Sequence, residues 1–195
     1  MYIKMLIYTV AVLLSGLILG SGFSSERENV IYLTTMGNIS DENAPLVKEE
    51  IEKFYGMNVF YLGKNELPAS AWCSLRKRYV AVEILKSLQK KTINGNYKVL
   101  ALTDKDIEIE KNNHWGVMGL AYLGGNECVV STYRIGGKKD RLIKVALHET
   151  GHMLGISHCT SGIASCLMKD ANGKGATVDK ARKYVCKNCK SKIKT

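Results

Sequence analysis

Three of the four histidines of this chain lie within eleven consecutive positions, in the pattern HExxHxxGxxH. On a helix, residues four positions apart share a face, so His148 and His152 can direct two imidazoles at one ion. Gly155 can adopt the left-handed conformation that ends a helix, and the chain can then bring His158 to the same ion. Three neutral imidazoles that leave a fourth position open are the ligand set of a catalytic zinc.

Glu149 directly follows the first of these histidines. It lies one step around the helix, too far round to be an obvious ligand but close enough to accept a proton from an attacking water. Zinc polarises a scissile carbonyl and lowers the pKa of a bound water towards about 7. The pattern therefore predicts zinc-dependent hydrolysis of peptide bonds with Glu149 as the general base. Surface or core histidines in an accidental pattern are the alternative.

Four of the six cysteines follow the histidines, at Cys159, Cys166, Cys186 and Cys189. The last two form a C-x2-C pair, which is a half-site for tetrahedral zinc–thiolate coordination. A site of four thiolates is structural, because it leaves no position for water, and it would hold loops of low apolar content. Disulfides are the alternative if the protein is exported.

The two remaining cysteines, Cys73 and Cys128, are expected to be buried free thiols. A disulfide between them is the alternative in an exported protein.

The histidines can converge on one ion only if a helix carries them and a folded domain holds that helix in place. Apolar periodicity predicts that helix at 141–154, and further helices beginning at 40–43 and covering 78–89. Strands are predicted at 29–35, 59–62 and 98–103, and two strand-like runs between 117 and 135 flank a hairpin turn at 124–126. This order predicts an α/β domain with a mixed sheet, followed by an irregular C-terminal part with one short helix.

The histidine pattern followed by a methionine resembles the metzincin signature. A cysteine directly after the third histidine, and further cysteines around and beyond the methionine, make the chain similar to the archaemetzincin (archaelysin) family. The residues that carry this resemblance are Cys159, Cys166-Leu167-Met168 and Cys186-Lys187-Asn188-Cys189. Six residues separate Cys159 from Cys166 where the family usually has four, so we expect a longer loop there.

The resemblance implies a metzincin-type α/β (α+β-like) fold: a mixed twisted sheet with an active-site helix, then an irregular C-terminal part held together by zinc. It implies that Met168 is the Met-turn residue beneath the catalytic metal. It also favours zinc over disulfides at the four cysteines, giving two Zn²⁺ per chain, one catalytic and one structural. Some members of the family resemble aminopeptidases, so cleavage of a peptide or protein substrate is expected to be either aminopeptidase-like or endopeptidase-like.

An antiparallel edge strand that binds extended substrate is also implied by the resemblance. The segment 116–123 is the candidate, since an edge strand can pair with a peptide backbone. Its alternative is that both hairpin strands lie in the interior of the sheet.

The N-terminal residues 1–22 have the layout of a secretory signal: Lys4, an apolar run at 5–19, and then Gly20-Ser21-Gly22. The run is short for a span of about 20 residues, although an uncleaved segment could still anchor the chain in a membrane. We expect a secreted or periplasmic protein, with residues 23–195 as one metallopeptidase domain.

The formal net charge is +10, from 28 Lys+Arg and 18 Asp+Glu. The basic residues are scattered, which favours a solvated basic surface. A non-catalytic basic zinc-binding module for nucleic acid or protein partners is the alternative function, because residues 180–194 are strongly basic. The export signal and Glu149 argue against it, so we expect a monomer with no nucleic-acid partner.

Overall fold

The computed structural model describes residues 30–91, 97–109 and 115–192. The predicted signal at 1–22, with its apolar run at 5–19, lies outside these ranges. Within them, no helix is both long and apolar enough to cross a bilayer. The division of the chain into 1–22 and 23–195 stays a prediction.

The described chain is a mixture of helices and strands, as predicted. The strands are β1 (Val30–Met36), β2 (Asn58–Asn65), β3 (Trp72–Cys73), β4 (Arg78–Val80), β5 (Lys98–Thr103), β6 (Ile107–Ile109), β7 (Trp115–Val117), β8 (Gly119–Ala121) and β9 (Glu127–Ser131). The α-helices are α1 (Asn43–Tyr55), α2 (Ala81–Lys91), α3 (Lys139–Met153), α4 (Gly175–Lys180) and α5 (Lys187–Lys190).

The larger sheet has five strands in the order β2-β1-β5-β9-β8. The first four are parallel to their neighbours, and β8 is antiparallel to β9 at the edge. The predicted mixed sheet and its hairpin are therefore confirmed. The second predicted run ends as a strand at Ser131, and residues Tyr133–Ile135 form a 3-10 turn.

Helices cover both faces of this sheet. Side chains alternate between the faces of a strand, and in β5 Leu100 and Leu102 pack in the cluster that contains α1 and α3. Val99 and Ala101 point the other way, into the cluster that contains α2. The result is a layered domain in which α3 lies against one face of the sheet, beside its antiparallel edge.

A second, smaller sheet has the order β3-β4-β6-β7. The prediction of a helix beginning at Arg78 was wrong at this point, since Arg78 to Val80 form β4 and the helix begins at Ala81. β4 pairs in parallel with β6, and Arg78 binds Asp106 next to that strand at 2.8 Å. These contacts are between residues distant in sequence, so helical spacing alone could not show them.

The C-terminal part is irregular, as predicted, but contains two short helices instead of one. Its core is a separate small cluster formed by Ile156, the four cysteines at 159, 166, 186 and 189, and Met168. Four buried cysteines thus take the place that large aliphatic side chains have in the main core.

Tyr55, the last residue of α1, ties that helix to the middle of α3. Its hydroxyl donates a hydrogen bond to the backbone carbonyl of Leu147 at 2.8 Å, and its ring packs edge-on against Phe54. Leu147 directly precedes the first histidine of the pattern, so this bond supports the helix turn from which that histidine projects.

We predict that Tyr55→Phe lowers the free energy of unfolding by about 1 kcal/mol, because one intramolecular hydrogen bond is lost without loss of the ring. The measurement is urea unfolding followed by circular dichroism. Tyr184→Phe is the matched control, since Tyr184 is 48% exposed. Equal unfolding free energies for the two variants would contradict this role for Tyr55.

Candidate active site

The helix that carries the first two histidines is α3, which is buried along most of its length. Its buried residues run almost without interruption from Leu142 to Met153, and this packing holds the helix in place. The chain leaves the helix at Gly155, whose φ of +87° is the left-handed conformation predicted for it. The turn is closed by a bond from the Ile156 N–H to the Gly151 carbonyl at 2.9 Å.

This turn brings the third histidine back to the first two. The ring centroids of His148 and His152 lie 4.6 Å apart, and His158 lies 5.3 Å from the first and 4.8 Å from the second. One ligand atom from each residue lies within 4.8 Å of the others. The structure therefore brings together the three residues that the sequence predicts as metal ligands.

Two backbone carbonyls orient the imidazoles on α3. His148 Nδ1 is 2.8 Å from the Leu167 carbonyl oxygen, and His152 Nδ1 is 2.8 Å from the Ile156 carbonyl oxygen. A carbonyl can only accept, so each Nδ1 carries the proton and each Nε2 keeps its lone pair. Hydrogen bonding of this kind, on the nitrogen that does not bind metal, is typical of metal-binding histidines.

Burial also keeps these two imidazoles neutral. It lowers the pKa of His148 to about 3, with His152 as the next cause, and it lowers the pKa of His152 as well. Because a histidine must be neutral to bind a metal, the site favours the binding form at neutral pH. The donor set and its orientation fit a zinc ion with one open position.

His158 lies on the solvent-exposed side of the three-histidine cluster. Its side chain is 46% exposed, and its Nδ1 lies 3.6 Å from the Asp170 carboxylate. This carboxylate was not predicted from the sequence, because it reaches the histidine only after the chain has passed through the cysteine loops.

Glu149 is buried at the wall of the same cleft, and burial raises its pKa to about 8. The strand β8 approaches it closely at Gly119. A Cβ atom at position 119 would lie 2.7 Å from Glu149 Oε1, closer than such atoms approach in proteins. The absence of a side chain at Gly119 therefore leaves room for the carboxylate of Glu149, and spacing along the chain could not predict this contact between distant residues.

Met168, the predicted Met-turn residue, lies against α3 at Gly151. It is fully buried, and a Cβ atom added to Gly151 would lie 2.6 Å from its sulfur. Since Gly151 directly precedes His152 on the helix, the methionine packs against the turn that carries both helical histidines. Its backbone carbonyl accepts a hydrogen bond from the Cys159 N–H at 2.8 Å.

A cleft of about 330 Å³ contains the histidines and Glu149. Its walls are the edge strand β8, the helix α3, and parts of the segment 167–173. The candidate edge segment 116–123 divides between two sheets, with β7 in the smaller sheet and β8 at the antiparallel edge of the larger one. The edge position is thus confirmed for Gly119–Ala121, and the alternative of two interior strands was wrong.

The four C-terminal cysteines form a second cluster, with all four sulfur atoms buried and within 4.8 Å of one another. Cys159 Sγ lies 3.7 Å from Cys186 Sγ, and Cys166 Sγ lies 4.0 Å from Cys189 Sγ. Four ligands at the usual Zn–S distance would be about 3.8 Å apart. A disulfide needs about 2.05 Å, so the spacing fits zinc and not disulfides.

The loop between the first two of these cysteines, which is expected to be longer than in the family, contains Ser161. Its hydroxyl lies 3.0 Å from Cys159 Sγ and 3.5 Å from Cys186 Sγ. This hydrogen bond lowers the pKa of the Cys186 thiol, which favours the thiolate that a metal requires. The other two cysteines, Cys73 and Cys128, are free thiols in this structure, and Cys128 is buried.

Comparisons with known proteins agree with this geometry. A model of peptidase family M54 matches residues 79–195. The archaemetzincin of Halobacterium salinarum is 28% identical over 175 residues, which cover 83% of this chain and 97% of that protein. The archaemetzincin of Nanoarchaeum equitans is 34% identical over 128 residues, which cover 66% of this chain and 69% of that protein.

Solved structures show the same fold. The archaemetzincin of Archaeoglobus fulgidus, complexed with malonate, has a TM-score of 0.72 at 28% identity, covering 84% of this chain and 99% of that one. The archaemetzincin of Methanopyrus kandleri has a TM-score of 0.69 at 25% identity, covering 86% and 95%. The predicted metzincin-type fold, with an active-site helix against a mixed sheet, is therefore confirmed.

Alanine substitutions at Gly119 and Gly151 should have different effects on activity and on zinc content. Gly119→Ala should lower kcat for peptide hydrolysis at least about ten-fold while the bound zinc is retained, because the added methyl displaces Glu149 and not the histidines. Gly151→Ala should lower zinc retention, because it displaces Met168 beneath them. Peptide hydrolysis and zinc content are measured for both. Loss of zinc in Gly119→Ala with full retention in Gly151→Ala would contradict these positions.

Proposed function

Because the chain belongs to peptidase family M54, the archaemetzincin family of zinc metallopeptidases, we propose that its three-histidine cluster binds the catalytic zinc and that Glu149 is the general base. The observation that carries this proposal is the convergence of His148, His152 and His158 beside a buried carboxylate in one cleft. No other group of three or more metal-binding side chains in the described ranges lies next to a cleft of this kind; the second group is the buried cysteine cluster.

Hydrolysis of a peptide bond by water needs a group that accepts the proton of the attacking water. Zinc, when bound, supplies a Lewis acid that polarises the scissile carbonyl and lowers the pKa of a water. Glu149 accepts the proton of the attacking water and delivers it to the leaving amine. Its burial makes it a stronger base than a solvated carboxylate, and a zinc ion bound by the three histidines would favour its charged form.

The edge strand β8 is the proposed binding site for the substrate backbone. It is antiparallel to β9 and last in the order of the larger sheet, so its outer backbone groups face the cleft side of the sheet edge. An extended peptide can pair with such an edge. This pairing would place a peptide bond between β8 and the histidines of α3.

Aminopeptidase-like cleavage is part of this proposal. It requires a group that binds the free amine of a substrate. Asp170 lines the cleft beside His158 and is half-exposed, so its carboxylate supports this role. Comparison of one peptide with a free and with an acetylated N-terminus tests it, because an aminopeptidase cleaves only the free form.

The second proposed zinc lies in the cysteine cluster and is structural. Its four sulfur atoms are buried, so no position remains for water or substrate. The cluster also positions the catalytic ligands: Leu167, whose carbonyl orients His148, lies between Cys166 and Met168 in the chain. Ordering of this segment by zinc would therefore support the catalytic site.

A non-catalytic basic zinc-binding module was the alternative function. Family membership makes the chain a zinc metallopeptidase, and the cleft supports the same conclusion. A module that only binds a partner has no need for a buried carboxylate held beside three histidines by a close-packed glycine.

We predict that Glu149→Gln lowers kcat by at least about a hundred-fold, because the variant keeps the shape of the side chain but cannot accept the proton. Zinc content should be unchanged. Hydrolysis of a peptide mixture, followed by mass spectrometry, is the measurement. Glu83→Gln on the surface of α2 is the control and should be fully active. Wild-type turnover in Glu149→Gln would show that Glu149 is not the general base.

Removal of one cysteine ligand tests the second zinc. Wild-type protein should contain two zinc ions per chain, and Cys186→Ser should contain at most one. The variant should also retain the catalytic ion more weakly, because the segment that carries the Leu167 carbonyl loses its support. Zinc released to a chelator is measured by colorimetry. Cys73→Ser is the control and should retain both ions. One zinc per chain in the wild type, with the cysteines oxidised, would overturn the structural site.

A further inference from the structure

A buried lysine lines the active-site cleft. Lys144 is on α3, one turn before His148, and its side chain is only 9% exposed. It is among the residues that form the wall of the cleft. Lysine is rarely buried unless its charge is paired, so the environment of this ammonium group needs an explanation.

Two groups of the protein bind this ammonium group. Lys144 Nζ lies 2.7 Å from the Asp140 carboxylate and donates to the backbone carbonyl of Asp179 at 3.3 Å. Asp140 is 64% exposed, so water weakens its hold on the lysine. An ammonium group has three donors, and a carboxylate that enters from the cleft can therefore compete for it.

The side chains around this end of the cleft are apolar. Val145, Leu167, Val178 and Ala181 line the cleft together with Lys144. The carboxylates that line the described cleft are Glu149, which lies beside Gly119, and Asp170, which lies beside His158. Two lysines line the cleft, Lys144 and the half-buried Lys169, and Lys144 is the one that is buried beside apolar side chains.

We propose that Lys144 is a specificity-determining residue that binds a carboxylate of the substrate. The inference rests on the proposed peptidase function and adds a substrate class to it. One helical turn separates Lys144 from His148, which is about 6 Å along the axis. A peptide advances about 3.5 Å per residue, so the carboxylate belongs to a residue next to the scissile bond or to the one after it.

This carboxylate has two sources. It is the side chain of Asp or Glu beside the cleaved bond, or the free C-terminus of a short peptide that ends there. In either case the hydrogen bond is charge-assisted, and the apolar walls exclude water from it. Such a bond favours the acidic substrate over its neutral analogue on the order of ten-fold.

The experiment uses zinc-loaded protein and four peptides of one sequence. They carry Glu or Gln beside the scissile bond, each with a free or an amidated C-terminus, and kcat/KM is measured for all. A preference of about ten-fold for Glu identifies the side chain as the source, and the same preference for the free C-terminus identifies the terminal carboxylate. Equal kcat/KM values within both pairs would overturn the proposal.

Two variants change this preference in opposite directions. Lys144→Met, which keeps the volume of the buried side chain, should reduce the ratio of acidic to neutral substrate towards one. Asp140→Asn should raise the ratio, because it removes the competing carboxylate from an exposed position and leaves the fold intact. Lys139→Met is the matched control, since Lys139 binds Glu42 on the surface. A ratio that is the same in wild type, Lys144→Met and Asp140→Asn would overturn the proposal.

Binding without turnover separates this inference from the function on which it rests. Calorimetry with the same four peptides and zinc-loaded Glu149→Gln should show the acidic preference, and Lys144→Met in that background should lose it. If wild-type protein cleaves none of the peptides, the proposed function fails while the binding preference still tests Lys144. If all peptides are cleaved and bound equally well, the inference on Lys144 fails alone.

Discussion

The hydrogen bond between His148 Nδ1 and the Leu167 carbonyl is the interaction on which the rest of the site depends. It leaves Nε2 of the imidazole as the nitrogen available to the proposed zinc, and it is made by a residue outside the helix. Leu167 is held in turn by the residues around it. Its N–H binds the Tyr184 carbonyl at 2.7 Å, and the carbonyl of the next residue, Met168, binds the Cys159 N–H at 2.8 Å. The orientation of this proposed zinc ligand thus follows from the order of a loop that contains four buried cysteines.

On the side of the cleft formed by β8, the close approach of this strand to α3 constrains the position of Glu149. The approach requires Gly119 beside Glu149, because any side chain would displace the carboxylate. The same approach excludes water from Glu149 and raises its pKa. The edge of a sheet and the middle of a buried helix are both rigid elements, so Glu149, the proposed general base, is held between them. Lys144 lines the same cleft, together with the apolar side chains of Val145 and Val178.

Much of this arrangement could be predicted from the sequence, where spacing along one element is enough. The helix of the two histidines, its end at Gly155 and the strand β5 lie where periodicity placed them. The small second sheet was missed, because strands of two or three residues carry almost no pattern, and Arg78 was assigned to a helix. The roles of Gly119 and Lys144 depend on contacts between distant segments, so their types and neighbours in the chain gave no signal.

The two proposed zinc sites share one segment of chain, residues 158–168. Anomalous diffraction at the zinc absorption edge, from crystals of the zinc-loaded protein, tests both sites most directly. We predict two zinc peaks in each chain. One is bound by Nε2 of His148 and His152 together with His158, with the Leu167 carbonyl still on Nδ1, and the other is bound by four cysteine sulfurs. A single peak with disulfides among the cysteines, or coordination through Nδ1 of His148, would contradict the account.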